Sequence, residues 1–235
     1  FIHALNPYGF AWRRRCDENN VDLNRNFILP SEYFEGSPKR YPELNAFFNP
    51  KKQISRLEPF SLKLLIHFLL HGQESVRRAL PFGQYDFPKG LFFGGAAPSQ
   101  TQEILSCHLS KWLKNSSKVL HLDFHTGLGS RFSYQLLTEE SYTSDRCLHL
   151  RNSFGSANVS SLLSGSTTTY SNKGSLGKWC KHNFKDRTYD LLYAEFGTMP
   201  MFSVLKALRA ENSAYFYGKR DSLSYSWARN LLFEA

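Results

Sequence analysis

The chain has no pair of cysteines at CxxC spacing. Its four cysteines, Cys16, Cys107, Cys147 and Cys180, stand far apart, which argues against a zinc knuckle or a thioredoxin-like motif. A domain of 235 residues needs no disulfide, so reduced and buried thiols are expected, as suits a cytosolic, cytoplasmic protein. Long apolar runs are missing as well. The longest, Leu62 to Leu70, is interrupted by Lys63 and His67 and is too short to span a bilayer. No membrane partner is expected, and no signal peptide is visible. Blocks of one charge sign are also absent. The net charge of +9 would suit an anionic partner, but the basic residues are scattered and only Arg13, Arg14 and Arg15 form a tight run. That pattern does not predict a nucleic-acid partner. No internal repeat or linker is apparent.

What is present is an ordinary globular composition, with 41% hydrophobic and 15% aromatic residues. One core and one domain over 1–235 are expected. Residues 1–5 read as a short buried strand and Asn6-Pro7-Tyr8-Gly9 as the turn that ends it. Because the chain opens on Phe1 inside that apolar run, the domain is expected to be incomplete at its N-terminal side. Residues 10–27 lack either periodicity and read as a long structured loop. Helical spacing predicts one or two helices over 57–80 and an amphipathic helix over 99–113, with Ser99 or Thr101 as its cap. Residues 81–98 read as a loop rich in Gly, Pro and aromatics, of the kind that is often functional. Strands are predicted at 119–124, 132–137 and 191–196. Further helices are predicted at 141–152, 202–217 and 221–233, with a loop at 160–177. Buried strands separated by helices predict an α/β domain with a mixed, mostly parallel sheet.

In such sheets, polar groups that do chemistry sit where strands end. Three clusters are candidates. Residues 15–27 are dense in Asn, Asp and Arg, and a loop of this kind can hold guanidinium forks in a fixed frame, where they bind carboxylates and stabilise oxyanions. In Asp123-Phe124-His125-Thr126-Gly127, a histidine at a strand end can ligate a metal, with Asp123 orienting its ring; His121 could share its face. In Tyr193-Ala194-Glu195-Phe196-Gly197, an acid stands alone in an apolar strand. It is costly to bury there without a reason, and it is a candidate general base.

Taken in order, these segments resemble the zinc carboxypeptidases. That family has an Asn-Pro-x-Gly segment, then an arginine, then Asp-Leu-Asn-Arg-Asn with its arginine ten residues after the first. Here Asn6-Pro7-Tyr8-Gly9 is followed by Arg15 and by Asp22-Leu23-Asn24-Arg25-Asn26. The segments 83–88, 90–95 and 125–129 look like a less characterised branch. The resemblance implies a three-layer α/β sandwich of the zinc-carboxypeptidase type. It implies that Arg15 stabilises the oxyanion, with Arg13 and Arg14 as rivals one or two residues away. Asn24 and Arg25 would hold a substrate carboxylate, His125 would ligate zinc and Glu195 would be the general base. The substrate would be a small peptide or an acylated amino acid.

The family's other two zinc ligands come from a His-x-x-Glu motif upstream of Asn-Pro-x-Gly, and only five residues precede Asn6. His71-Gly72-Gln73-Glu74 has the right letters but follows the arginine loop where the family's motif precedes it, and is expected to be a coincidence. His67 and His71 are expected to pack a helix. Catalytic zinc needs three protein ligands, so the zinc site is expected to be incomplete and the chain inactive alone. The alternative is a non-catalytic carboxylate-binding pseudoenzyme.

Overall fold

The structure, a computed structural model, describes residues 1–79, 82–162 and 173–233. Two compact units divide the chain: Phe1–Leu109 with Asn172–Trp179 and Leu205–Ala235, and Ser110–Ser171 with Cys180–Val204. Among the described residues, no helix is long and apolar enough to cross a membrane.

The first unit is built from helices and ordered loops. Residues 1–5 form no strand, and Phe1 and Ile2 are exposed. The expected turn at Asn6 is instead a helix start. Asn6 caps α1 (Pro7–Trp12) by accepting from Gly9 N–H, and Pro7 fills the first helical position, where its missing N–H costs nothing. Unforeseen is α2 (Tyr41–Phe48), which buries Tyr41, Leu44, Phe47 and Phe48. The predicted pair follows as α3 (Phe60–His71) and α4 (Gln73–Arg78); Leu80 and Pro81 lie outside the described residues. The helix expected from residue 99 is α5 (Gln100–Leu113), and Ser99 Oγ accepts from Gln102 N–H at 3.2 Å. Arg209 is fully buried in this unit. It donates to Phe47 O at 2.6 Å and to both oxygens of Glu58, with its guanidinium 4.4 Å from the Phe47 ring. Burial favours the neutral Glu58 carboxyl, but Arg209 and Lys63 outweigh it and hold its pKa low.

The second unit carries a mixed, mostly parallel sheet of four strands in the order β1-β4-β2-β3. These are β1 (Lys118–Leu128), β2 (Tyr134–Thr138), β3 (Val159–Ser161) and β4 (Thr188–Met199), with α6 (Asp145–Phe154) between β2 and β3. β1 runs parallel to β4, β2 antiparallel to β4, and β3 parallel to β2. Two strands are longer than their apolar runs: β1 continues through residues 125–128, past the end of the strand predicted at 119–124. On one face, Leu136, Leu192 and Ala194 pack with Leu150, Val159 and Phe154 into a core under α6. Helix α7 (Leu176–Asn183) and strand β3 fall partly where a loop is expected; residues 163–172 of that stretch lie outside the described residues. The chain ends in α8 (Met201–Tyr217) and α9 (Leu223–Phe233), close to the predicted spans.

Candidate functional site

The sheet positions the first set of groups. Side chains alternate across a strand, so His121, Asp123 and His125 share one face of β1. Parallel register pairs His125 with Glu195 and Asp123 with Tyr193, bringing together two residues seventy positions apart. Asp123 Oδ2 lies 2.9 Å from His125 Nε2, and Glu195 Oε1 lies 3.4 Å from His125 Nδ1. The imidazole is thus held between two carboxylates. Burial disfavours its charge, but hydrogen bonds to Asp123 and Glu195 and their charges prevail, and the His125 pKa rises to about 9. Tyr193 meets the His125 ring edge-on at 5.7 Å and donates its hydroxyl to Glu139. His121 pairs with the Tyr189 hydroxyl at 3.0 Å, and burial lowers its pKa. His121 is therefore a packed strand residue.

The arginine loop belongs to the first unit. Asp17 fastens its start by accepting from the N–H groups of Asn19 and Val21. Asn20 and Asn26 hold it against residues 88–97 through Pro88, Gly90, Gly94 and Ala97 carbonyls. Val21 and Leu23 pack on Phe93. Arg15 Nε bonds Asp22 Oδ2 at 2.9 Å, and the guanidinium lies 4.8 Å from the Phe92 ring, which Arg25 approaches from 5.9 Å. Burial pushes the Asp22 pKa up, yet Arg15 and Arg25 together bring it below its usual value. Arg25 is buried in a shell of glycines. A Cβ on Gly174 would stand 2.0 Å from Arg25 O, on Gly83 2.6 Å from Arg25 Cδ, and on Gly94 2.7 Å from Arg25 O. Gly83 thus packs the guanidinium stem, while Gly94 and Gly174 press on the Arg25 backbone. Asn24 accepts from Leu176 N–H at 3.2 Å, so its amide NH2 is the donor it can offer an anion.

The three neighbouring arginines separate clearly. Arg14 is buried against Glu211, Asn20 and Tyr215. Arg13 is exposed at the left-handed end of α1. Arg15, about a third exposed, shares Asp22 and Phe92 with Arg25. Residues 1–235 match one family throughout, described as a protein of unknown function (DUF2817). The chain belongs to the DUF2817 family. No curated protein and no solved structure matches it.

Within this DUF2817 chain, Arg15, Asn24 and Arg25 belong to one unit and His125 and Glu195 to the other. Sequence reasoning missed Phe92, which has a positive φ of 57°. A non-glycine residue in that region is strained, and no local motif announces it. His71 and Glu74 of the His71-Gly72-Gln73-Glu74 segment, and its neighbour His67, meet ring and ion-pair partners on the helices of the first unit. His67 lies 4.4 Å from the Phe47 ring, His71 pairs with Glu43, and Glu74 takes Arg78.

Among the described residues, no group of three His, Cys, Asp or Glu side chains is arranged to hold a metal ion. His125 is one imidazole donor, and the two carboxylates beside it already engage both ring nitrogens. These donors alone do not make a catalytic zinc site, which needs three protein ligands and an open position.

Proposed function

We propose that this DUF2817 protein is a hydrolase of the metallocarboxypeptidase type, acting on an amide bond near a free carboxylate in a small peptide or an acylated amino acid. The reading includes a three-layer α/β sandwich of the zinc-carboxypeptidase type, zinc as cofactor with His125 as one ligand, and a cytoplasmic setting. What carries it is the pairing of His125 with Glu195 at one register of adjacent strands, because the resemblance assigns the ligand and the base to those two residues. Glu195 would take the proton of the attacking water and pass it to the leaving amine. Arg15 would donate to the oxyanion, and Arg25 with the Asn24 amide would hold the substrate carboxylate. Since the donors present do not complete a zinc site, the 235 residues alone are expected to turn over little.

One observation favours a second reading. Both His125 nitrogens are satisfied by carboxylates, so the cluster is self-sufficient, as in a non-catalytic protein that only binds carboxylates. The test uses N-acyl amino acids and their amides, with zinc supplied, on a version of the chain extended upstream by a His-x-x-Glu segment that completes the three ligands, assayed unaltered and as Glu195→Gln, Arg15→Ala and Arg25→Ala. Under the hydrolase reading, Glu195→Gln removes turnover and Arg15→Ala slows acid and amide alike, by about 10²–10³. Arg25→Ala should weaken the acids alone, by about ten- to a hundredfold, the value of a charge-assisted bond of about 1.5–3 kcal/mol. Saturable acid binding that Arg25→Ala abolishes, without turnover in any chain, would select the second reading. Equal losses for acid and amide in Arg25→Ala would sink both.

A further inference from the structure

Helices α1, α8 and α9 of the first unit border a cavity of about 60 Å³ that the arginine loop's proposed role does not use. The volume is several times the roughly 10–15 Å³ that one water requires and admits one tetrahedral oxyanion. Three guanidinium groups line it, Arg14, Arg220 and Arg229, against one carboxylate, Glu211. Three positive charges and one negative leave an excess of two. Arg14 is the innermost, with its side chain 3% exposed. Its Nε donates to Glu211 at 2.8 Å and its Nη2 to Asn20 at 3.0 Å, while the guanidinium lies 3.4 Å from the Tyr215 ring centre. Its Nη1 is buried and has no hydrogen-bond partner among the described residues. Buried charged donors are almost always satisfied, and a bare N–H on a residue that lines a roomy cavity marks the place of a missing acceptor. A water would satisfy that N–H but would leave the doubled positive charge uncompensated.

The remaining lining suits an oxyanion. The Tyr8 and Tyr215 hydroxyls meet at 3.2 Å, and each can still turn a donor or acceptor towards a ligand. Arg229 is braced by its bond to Trp12 O at 2.6 Å and lies 5.7 Å from the Tyr225 ring. Trp12 lines the cavity and is 48% exposed, so an apolar group attached to the anion has a surface to rest on. We propose that this cavity is a binding site for a doubly charged tetrahedral oxyanion, a phosphate group, either free or at the end of a phosphomonoester. It shares no residue with the groups assigned to hydrolysis and does not rest on that assignment.

The probes are inorganic phosphate, phenyl phosphate and acetate, titrated calorimetrically into the full chain at constant ionic strength. Inorganic phosphate is expected to bind saturably, one per chain, and to raise the melting temperature. Arg220→Gln and Arg229→Gln should each weaken it about tenfold, whereas Arg40→Gln, an exposed arginine outside the cavity, should leave it unchanged. These variants keep the buried Arg14–Glu211 pair, so loss of folding does not confuse the result, and the melting curve without phosphate verifies this. Tighter binding of phenyl phosphate would identify a phosphomonoester, and equal or weaker binding would identify free phosphate. No saturable phosphate binding would overturn the proposal. So would acetate binding as tightly as phosphate, or losses in Arg220→Gln and Arg229→Gln no larger than in Arg40→Gln.

Discussion

His125 concentrates the residue-scale argument. Its ring sits between two carboxylates and is only 27% exposed, so the native state favours the imidazolium. A folded pKa of about 9 against an ordinary value near 6.5 means that this contribution to stability is complete below about pH 6.5. It is lost as pH rises through about 9, and amounts to something on the order of 3 kcal/mol. An NMR titration of the metal-free chain should find His125 protonated at neutral pH, and Asp123→Asn should move its midpoint down towards the ordinary value. An unperturbed midpoint in the native chain would remove the carboxylate clamp from the argument. The same clamp bears on metal binding. A ligand imidazole must be deprotonated, so zinc competes with a proton that two carboxylates hold in place.

At the scale of elements, β1 stands out because it ends the sheet and is half covered. Its odd-numbered side chains face the His125 cluster, while Leu120, Leu122 and Phe124 are 50%, 38% and 65% exposed. Phe124 stacks on Phe196 of β4 at 6.2 Å, and Phe196 approaches Tyr134 of β2 at 6.1 Å, so an apolar row crosses three strands. In the first unit, separately, helix α3 leaves Leu69 and Leu70 largely exposed. An edge strand with a bare apolar face invites association. The chain is expected to self-associate as concentration rises, and Phe124→Lys should reduce this. Losing one cross-strand contact costs only about 0.2–1 kcal/mol, so the melting temperature should fall little. Sedimentation velocity on both chains is the measurement; equal association in Phe124→Lys would exonerate this face.

At the scale of the whole molecule, the DUF2817 match covers every residue, while the groups assigned to one reaction are divided between two compact units. The donor inventory then sets the expectation for metal. One imidazole with its carboxylates falls short of three ligands, and equilibrium dialysis of the 235-residue chain should find zinc held weakly, well below one tightly bound ion per chain. One tightly held zinc per chain would contradict this and would require a ligand set different from the one inferred from His125.

Sequence by itself determined the helices with clear apolar periodicity, the central strands and the identity of the arginine loop, because these depend on local pattern and on spacing along the chain. It also foresaw that His121 would share the His125 face, since alternation along a strand is a local property. It erred where the pattern was short. Residues 1–5 are apolar but form no strand, and Asn6-Pro7 reads as a turn although the same two residues also cap a helix. Only tertiary structure separated Arg15 from Arg14, because that depended on Glu211, nearly two hundred residues away. Only parallel pairing could set Glu195 against His125, and only the packing of distant segments could surround Arg25 with Gly83, Gly94 and Gly174. The physical reason is common to all three: periodicity records which face of an element is buried, whereas the partner that meets that face is chosen by register and close packing between segments that the sequence keeps apart.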